Sequence, residues 1–147
     1  MSVQYCTFRL DGHLFGVPVG SVQEVLKQQE VTAVPQAPPE VSGLINLRGQ
    51  IITTLELRYR LGLAARATDA PAINVVVRTA DGGVVSLVVD EIGDVLEPSD
   101  ESFAALPETV PPPIRALVTS VCKLEGHLML VLDTELAVQV GVTAARP

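Results

Sequence analysis

Histidine is the side-chain type whose charge ordinarily changes near neutrality. This chain has two, His13 in "DGH" and His127 in "EGH". Each follows a turn glycine at the start of an apolar run, a place that usually faces solvent. A shared metal site would require the two turns to meet, which nothing in the spacing leads one to expect. No cysteine or histidine cluster has zinc spacing, and the acidic run "VDEIGDVLEPSDES" lacks the spacing of a calcium loop. No G-x-S-x-G supplies a nucleophile, and no Gly-rich stretch matches a phosphate cradle; "DGG" reads as a hairpin tip. Cys6 and Cys122 stand in strand-like runs and read as small buried hydrophobes, not as a disulfide framework or a redox pair. An acid/base pair of Glu56 and Asp133 is the remaining catalytic candidate. The two are equivalent positions in a repeat, so symmetry explains them better than catalysis. The reading is therefore no catalytic residue, no metal and no cofactor.

One polar residue stands out. Arg48-Gly49-Gln50 is a tight turn inside the apolar stretch "GLINLRGQIITTLELRYRLGL", where Asn-Gly or Asp-Gly would serve. From the residues alone, Arg48 reads as a solvated turn residue and Glu24 as a solvated helix residue.

The elements that must position such residues are apolar and strand-prone. Hydrophobic residues make up 48% of the 147-residue chain and aromatics 3%, with no Trp, so the core must come from Val, Leu and Ile. A chain this long buries roughly 70% of its unfolded surface and needs no staples. The net charge of −7 repels phosphate backbones, so nucleic acid is not an expected partner. No apolar run reaches the roughly 18 residues that span a bilayer, and no signal peptide opens the chain, so the expected location is the cytoplasm.

The sequence echoes itself. "FRLDGHLFGVPVGSVQEVL" aligns with "VRTADGGVVSLVVDEIGDVL" at an offset of 70, placing Asp11-Gly12 on Asp81-Gly82 and Val22, Val25 and Leu26 on Ile92, Val95 and Leu96. "RGQIITTLELRYRL" aligns with "EGHLMLVLDTELAV" at an offset of 77, placing Gly49 on Gly126 and Glu56 on Asp133. The Pro-rich stretch "LPETVPPPIRA" absorbs the difference. Asp-Gly between apolar runs predicts type I′ hairpins. Roughly five strands per half leave exposed edges unless each set closes. The expected fold is all-β: two SH3-like antiparallel five-stranded barrels side by side, about residues 1–63 and 70–147 of a single domain, with strand exchange between them left open. The crossing is expected over Gly62–Pro71, first as a helical turn and then as a loop. Three short helices are candidates: "GSVQEVL" capped by Ser21, "SDESFAAL" capped by Ser99 or Asp100, and "TELAVQV". The strand "VVSLVV" lacks alternation, as expected if both its faces are covered.

The segments "VQEVL", "VPQAPP", "GLINLRGQI" and "VSLVVDEIGDVL", in that order between about Phe8 and Leu136, closely resemble the CheW family, the coupling proteins that join bacterial chemoreceptors to the histidine kinase CheA. The resemblance implies two SH3-like barrels, no catalytic activity, and an adaptor meeting the cytoplasmic tips of methyl-accepting chemoreceptors and the regulatory domain of a CheA-type kinase. It implies a receptor groove at the positions of Val22, Gln23, Glu24 and Arg48, with Gly43 and Gly49 as turn glycines; it names no residue for the kinase contact. The family often has "PVIDLR" where this chain has "TTLELR", so Thr53 and Glu56 depart from it. No receiver domain and no kinase core are present, which sets the chain apart from the family's fusion proteins and from the kinase itself.

With that resemblance, Arg48 gains a role. Its guanidinium is expected to bond Glu24 on a neighbouring short helix, with Val22, Val25 and Leu47 as an apolar groove floor. The expected adaptor is a monomer in isolation, associated with membrane receptor arrays without inserting into the bilayer, and its contacts are micromolar. The competing reading is an SH3-like peptide-binding module outside chemotaxis. That reading needs an aromatic-lined groove, which two Tyr and three Phe make hard to build.

Overall fold

The computed structural model describes residues 3–27, 29–67 and 72–139. Strands β1 (Tyr5–Leu10) and β2 (His13–Pro18) form the first hairpin, followed by a 3-10 turn at Val19–Ser21 and by β3 (Val22–Lys27). Then come β4 (Val41–Leu47), β5 (Gln50–Glu56), the one-turn helix α1 (Leu57–Arg60), β6 (Ile73–Arg78), β7 (Val84–Val89) and β8 (Glu91–Leu96). A 3-10 turn at Asp100–Ser102 leads to β9 (Phe103–Ala104), α2 (Pro112–Arg115), β10 (Val118–Leu124), β11 (His127–Leu132) and α3 (Thr134–Ala137).

Two sheets result, in the orders β8-β1-β2-β11-β10-β9 and β3-β6-β7-β5-β4. They are one pattern used twice. Under the sequence echo β8, β1, β2, β11 and β10 correspond to β3, β6, β7, β5 and β4. The β1–β2 hairpin lies in the sheet with β8–β11, and the β6–β7 hairpin lies in the sheet with β3–β5. Each half thus lends its hairpin to the other half's sheet.

The sheets are not purely antiparallel, contrary to expectation. β2 runs parallel to β11 and β7 parallel to β5. Exchange is the reason: a lent hairpin meets its host across a long crossover, so direction is set by the crossover and not by a tight turn. The two parallel pairs share a register, because Gly16↔Val131 maps onto Ser86↔Thr54 under the offsets of the echo.

Each sheet also curls until its edges meet. β3 and β4 are opposite edges of one sheet, yet Thr32, five residues beyond Lys27, exchanges backbone hydrogen bonds of 2.9 and 2.8 Å with Leu44 of β4. Five residues span at most about 18 Å, so the two edges are close. In the other sheet β9, a few residues beyond β8, pairs with β10 through Val121↔Ala104; Val121 is the counterpart of Leu44.

The core follows from this. One cluster, including Phe8, Phe15, Val17, Leu55, Val75, Leu87 and Val89, fills the space between the sheets. Smaller clusters fill the inner faces, around Leu14, Cys122 and Met129 in one sheet and around Ile45, Leu47, Ile52 and Val76 in the other. β7 is covered on both sides, as its unbroken apolar run implies. Its inner face also carries a satisfied polar triad: Asn74 donates to Ser86 Oγ at 2.9 Å and to Thr54 Oγ1 at 3.2 Å.

Four local expectations need correction. "VQEVL" is strand β3, not a helix. Val22, Val25 and Leu26 have helical spacing, but an extra residue between Val22 and Glu24 forms a bulge against Val77 and Val76, which puts Val22 and Val25 on one strand face. The same bulge recurs in β8 between Ile92 and Val95. "SDESFAAL" yields only the 3-10 turn and β9. Asp11-Gly12 has the positive φ of a type I′ turn at both residues, but around Asp81-Gly82 only Gly82 does; Thr79 N–H bonds Gly83 O across a longer loop. The helical turn of the crossing comes early, at Leu57–Arg60, and the last residues of the expected crossing, 68–71, lie outside the described residues.

Candidate functional site

Arg48 and Glu24 are brought together. Arg48 stands with Gly49 in the two-residue turn between Leu47 and Gln50, and both turn residues have positive φ, 52° and 88°. For a residue with a β-carbon that conformation costs roughly 1–2 kcal/mol. The equivalent turn between Leu124 and His127 places only its glycine there, so a hairpin at this position does not require the strain. The left-handed arginine projects one Nη to Glu24 Oε2. A single charge-assisted bond joins them, not a bidentate fork, and 68% of the Arg48 side chain stays exposed against 24% of Glu24. Spare guanidinium donors therefore face outward.

Around this pair the residues divide by face. Val22 and Val25 pair with Val77 and Val75, so they lie on the face that continues into the core between the sheets; Val22 is half-buried there and Val25 is exposed. Gln23 occupies the bulge and is exposed. Leu47 is buried in the inner cluster beneath the turn and offers no groove surface, contrary to expectation. The residue that does is its neighbour across the turn. Ile51, opposite Asn46, points to the outer face and is 60% exposed. Alternation carried the signal: Ile51 and Ile52 are adjacent in one strand, and Ile52 is buried, so Ile51 had to face out.

Of the two glycines, Gly49 holds the turn. Gly43 does not lie in a turn. It sits inside β4 at a register shift, with φ 153°, where a β-carbon would strike the Thr32 carbonyl oxygen and come within 2.6 Å of Val31 Cγ1. Its absent side chain lets the Thr32 bridge seal the sheet edge.

A CheW-like domain matches residues 4–140. The chain belongs to the CheW-like family. It is 30% identical over 128 residues to chemotaxis protein CheW of Bacillus subtilis (strain 168), covering 86% of this chain and 80% of that one. It is 28% identical over 128 residues to chemotaxis protein CheW of Rhizobium meliloti (strain 1021), covering 87% and 82%. Among solved structures it is similar to the crystal structure of scaffolding protein TtCheW from Thermoanaerobacter tengcongensis, with a TM-score of 0.85, 26% identity and coverage of 96% and 95%.

Within this CheW-like domain the remaining candidates find structural roles. Glu56 and Asp133 stand before α1 and α3. Glu56 accepts from both Nη atoms of Arg66 at 3.0 and 3.2 Å, and Asp133 caps α3 by accepting from Leu136 N–H at 3.1 Å. Cys6 and Cys122 are buried free thiols, and desolvation pushes both upward, away from reactive thiolate. Phe8 and Phe15 stack in the central core at 6.0 Å, out of reach of any surface groove.

The histidine turns lie on neighbouring strands, nearer than their separation in the sequence leads one to expect. β2 and β11 are parallel neighbours, and His13 and His127 line one cavity of about 390 Å³. Among the described residues no group of three His, Cys, Asp or Glu could hold a metal.

One charge cluster has no sequence pattern to announce it. Arg58 of α1 bonds both oxygens of Asp90, through Nε at 3.1 Å and Nη2 at 2.7 Å, and Asp90 also accepts from Asp11 N–H at 2.9 Å. It ties the first hairpin, α1 and the β7–β8 junction together. Burial pushes the Asp90 carboxyl up, but the Arg58 and Asp11 hydrogen bonds outweigh it and hold it below the usual range. The bond to Asp90 raises Arg58, against the opposing pull of its own burial.

Proposed function

We propose that this CheW-like chain is a non-enzymatic chemotaxis scaffold coupling chemoreceptors to a CheA-type histidine kinase, and that the Glu24–Arg48 edge is its receptor contact. The observation that carries the reading is the left-handed Arg48, which accepts backbone strain, bonds one carboxylate and keeps donors exposed. Strain retained at a surface turn points to a use at that turn. Val25 and Ile51, exposed on the strands that flank the pair, supply apolar contact in place of the buried Leu47. A receptor-tip helix lays its own apolar face across them, and the guanidinium binds its polar rim. Gln23 in the bulge adds a polar contact.

Transient signalling contacts of this kind bury less than about 1,200 Å². Association costs several kcal/mol, so each contact is micromolar and the scaffold gains effectiveness from many copies in a receptor array. The protein is a monomer in isolation and works in the cytoplasm beside the membrane. Among the described residues no helix is long and apolar enough to cross a membrane.

The test is Arg48→Ala, with receptor-tip binding and thermal stability measured separately. Lost binding with stability nearly unchanged supports the assignment; unchanged binding removes it. Pull-down of a kinase regulatory domain by the same protein tests the coupling role. A proline-groove module is disfavoured by the burial of Phe8 and Phe15.

A further inference from the structure

The cavity lined by His13 and His127 lies at the sheet that does not carry Arg48. Its walls are apolar, including Leu128, Leu130, Pro111 and Ile114. Its charged or chargeable lining consists of Arg9, His13 and His127, with no carboxylate among the lining residues. On a chain of net charge −7, that is a local gathering of nitrogen groups, and Arg9 and His127 also border the neighbouring hollow that holds Asp94 and Glu125. The Arg9 side chain has no ion-pair or hydrogen-bond partner among the described residues; Glu91 lies opposite it in the β1–β8 register, yet no salt bridge joins them. His127 Nδ1 lies 3.0 Å from the Glu125 carbonyl oxygen. With Nδ1–H donated there, Nε2 is the ring nitrogen left to face the cavity, and it accepts unless the ring is doubly protonated. Leu128 is 44% exposed at this site, so the apolar surface continues beyond the hollow.

We propose that this cavity is a second docking seat, which takes an acidic and apolar segment of a protein partner: a Glu or Asp side chain against Arg9 and the imidazoles, with an adjoining Leu or Ile against Leu128, Leu130 and Pro111. Charge complementarity selects the carboxylate, since an unpaired guanidinium forms its strongest pairings with carboxylate oxygens. The volume, about 390 Å³, suits two side chains, and the exposed Leu128 gives the flanking residues something to cover.

The experiment pans a displayed dodecapeptide library on the full chain, then measures the consensus peptide by calorimetry against the wild type and against Arg9→Gln, His127→Gln and Leu128→Asp. These positions are exposed, so the folded state is retained, and a melting curve for each variant checks it. The expected consensus pairs Asp or Glu with Leu or Ile. Its affinity falls at least tenfold when its acid is changed to the amide, and similarly with Arg9→Gln or with Leu128→Asp, which places a carboxylate in the seat. No enrichment, a basic consensus, or binding indifferent to all three substitutions overturns the proposal. Octanoate binding in the cavity without any selected peptide also overturns it, and marks a small-carboxylate site instead. Receptor binding at Arg48 is untouched by these substitutions, so the two assignments fail separately.

Discussion

Arg48 reaches from the β4–β5 turn to Glu24 on β3, and so joins two strands at opposite edges of the same sheet. The pair is a clasp as well as a candidate contact. These two roles make different demands, and substitutions separate them. A surface ion pair contributes at most about 1 kcal/mol. A left-handed non-glycine residue gives up about as much. Arg48→Gly removes both and keeps the turn. The expected result is a melting temperature within a few degrees of wild type, by calorimetry, together with loss of receptor-tip binding. A large fall in stability would show that the clasp itself holds the sheet.

The other sheet has the matching strands without the clasp and without the left-handed turn residue. The counterparts of Glu24 and Arg48 are Asp94 and Glu125, both acidic, and they line one cavity together. Glu125→Arg supplies the missing cation. The expected gain is modest, up to about 1 kcal/mol, visible as a raised melting temperature at low salt that fades at high salt. It should vanish when Asp94→Asn is added, which is the double-mutant check on the pairing.

How far the sequence reached depends on the range of the interaction. The echo was legible, because turn glycines and apolar spacing are local, and it foretold two matched sheets. The Glu24–Arg48 pair was legible only through the family resemblance; the residues alone read as two solvated side chains. Misreading β3 as a helix came from a bulge, which gives Val22 and Val25 a shared strand face at a spacing a helix would also satisfy. The parallel pairings and the shared cavity of His13 and His127 are long-range consequences of hairpin exchange, which no local pattern carries. Leu47 was placed on the groove because alternation along a strand does not say which of its two faces is buried; Leu47 lies inward and Ile51 outward.

Gly43 tests edge sealing. An alanine there would collide with the Thr32 carbonyl while adopting a φ of 153°. The Thr32–Leu44 bridge must then open, or β4 must shift. Gly43→Ala is expected to cost about 2 kcal/mol or more, in the range of strained backbone positions. Denaturant unfolding would read it as a lower midpoint, and hydrogen exchange would show lost protection at the Thr32 and Leu44 amides. Gly49→Ala, at a turn with open space around it, should cost less and leave those amides protected.

Asp90 sets a pH dependence with a definite sign. Its folded-state pKa lies below that of an ordinary aspartate, because the Arg58 fork and the Asp11 N–H favour the carboxylate more than its burial disfavours it. A depressed carboxyl contributes stability in full above the unfolded-state value of about 3.9, and loses it as pH falls through the folded value. The contribution is therefore constant at neutral pH and disappears below about pH 4. Asp90→Asn should lower stability at pH 7 by about 1–3 kcal/mol, the cost of removing one partner of a partly buried, hydrogen-bonded pair. The gap between wild type and variant should close as pH drops below 4. Because Asp90 ties the first hairpin to α1, amide protection in the Asp11 turn should fall with it. A gap that stays constant down to pH 2 would mean that the carboxylate charge contributes nothing, and that the arginine is held by its other bond, from Nη1 to the Ala64 carbonyl at 2.6 Å.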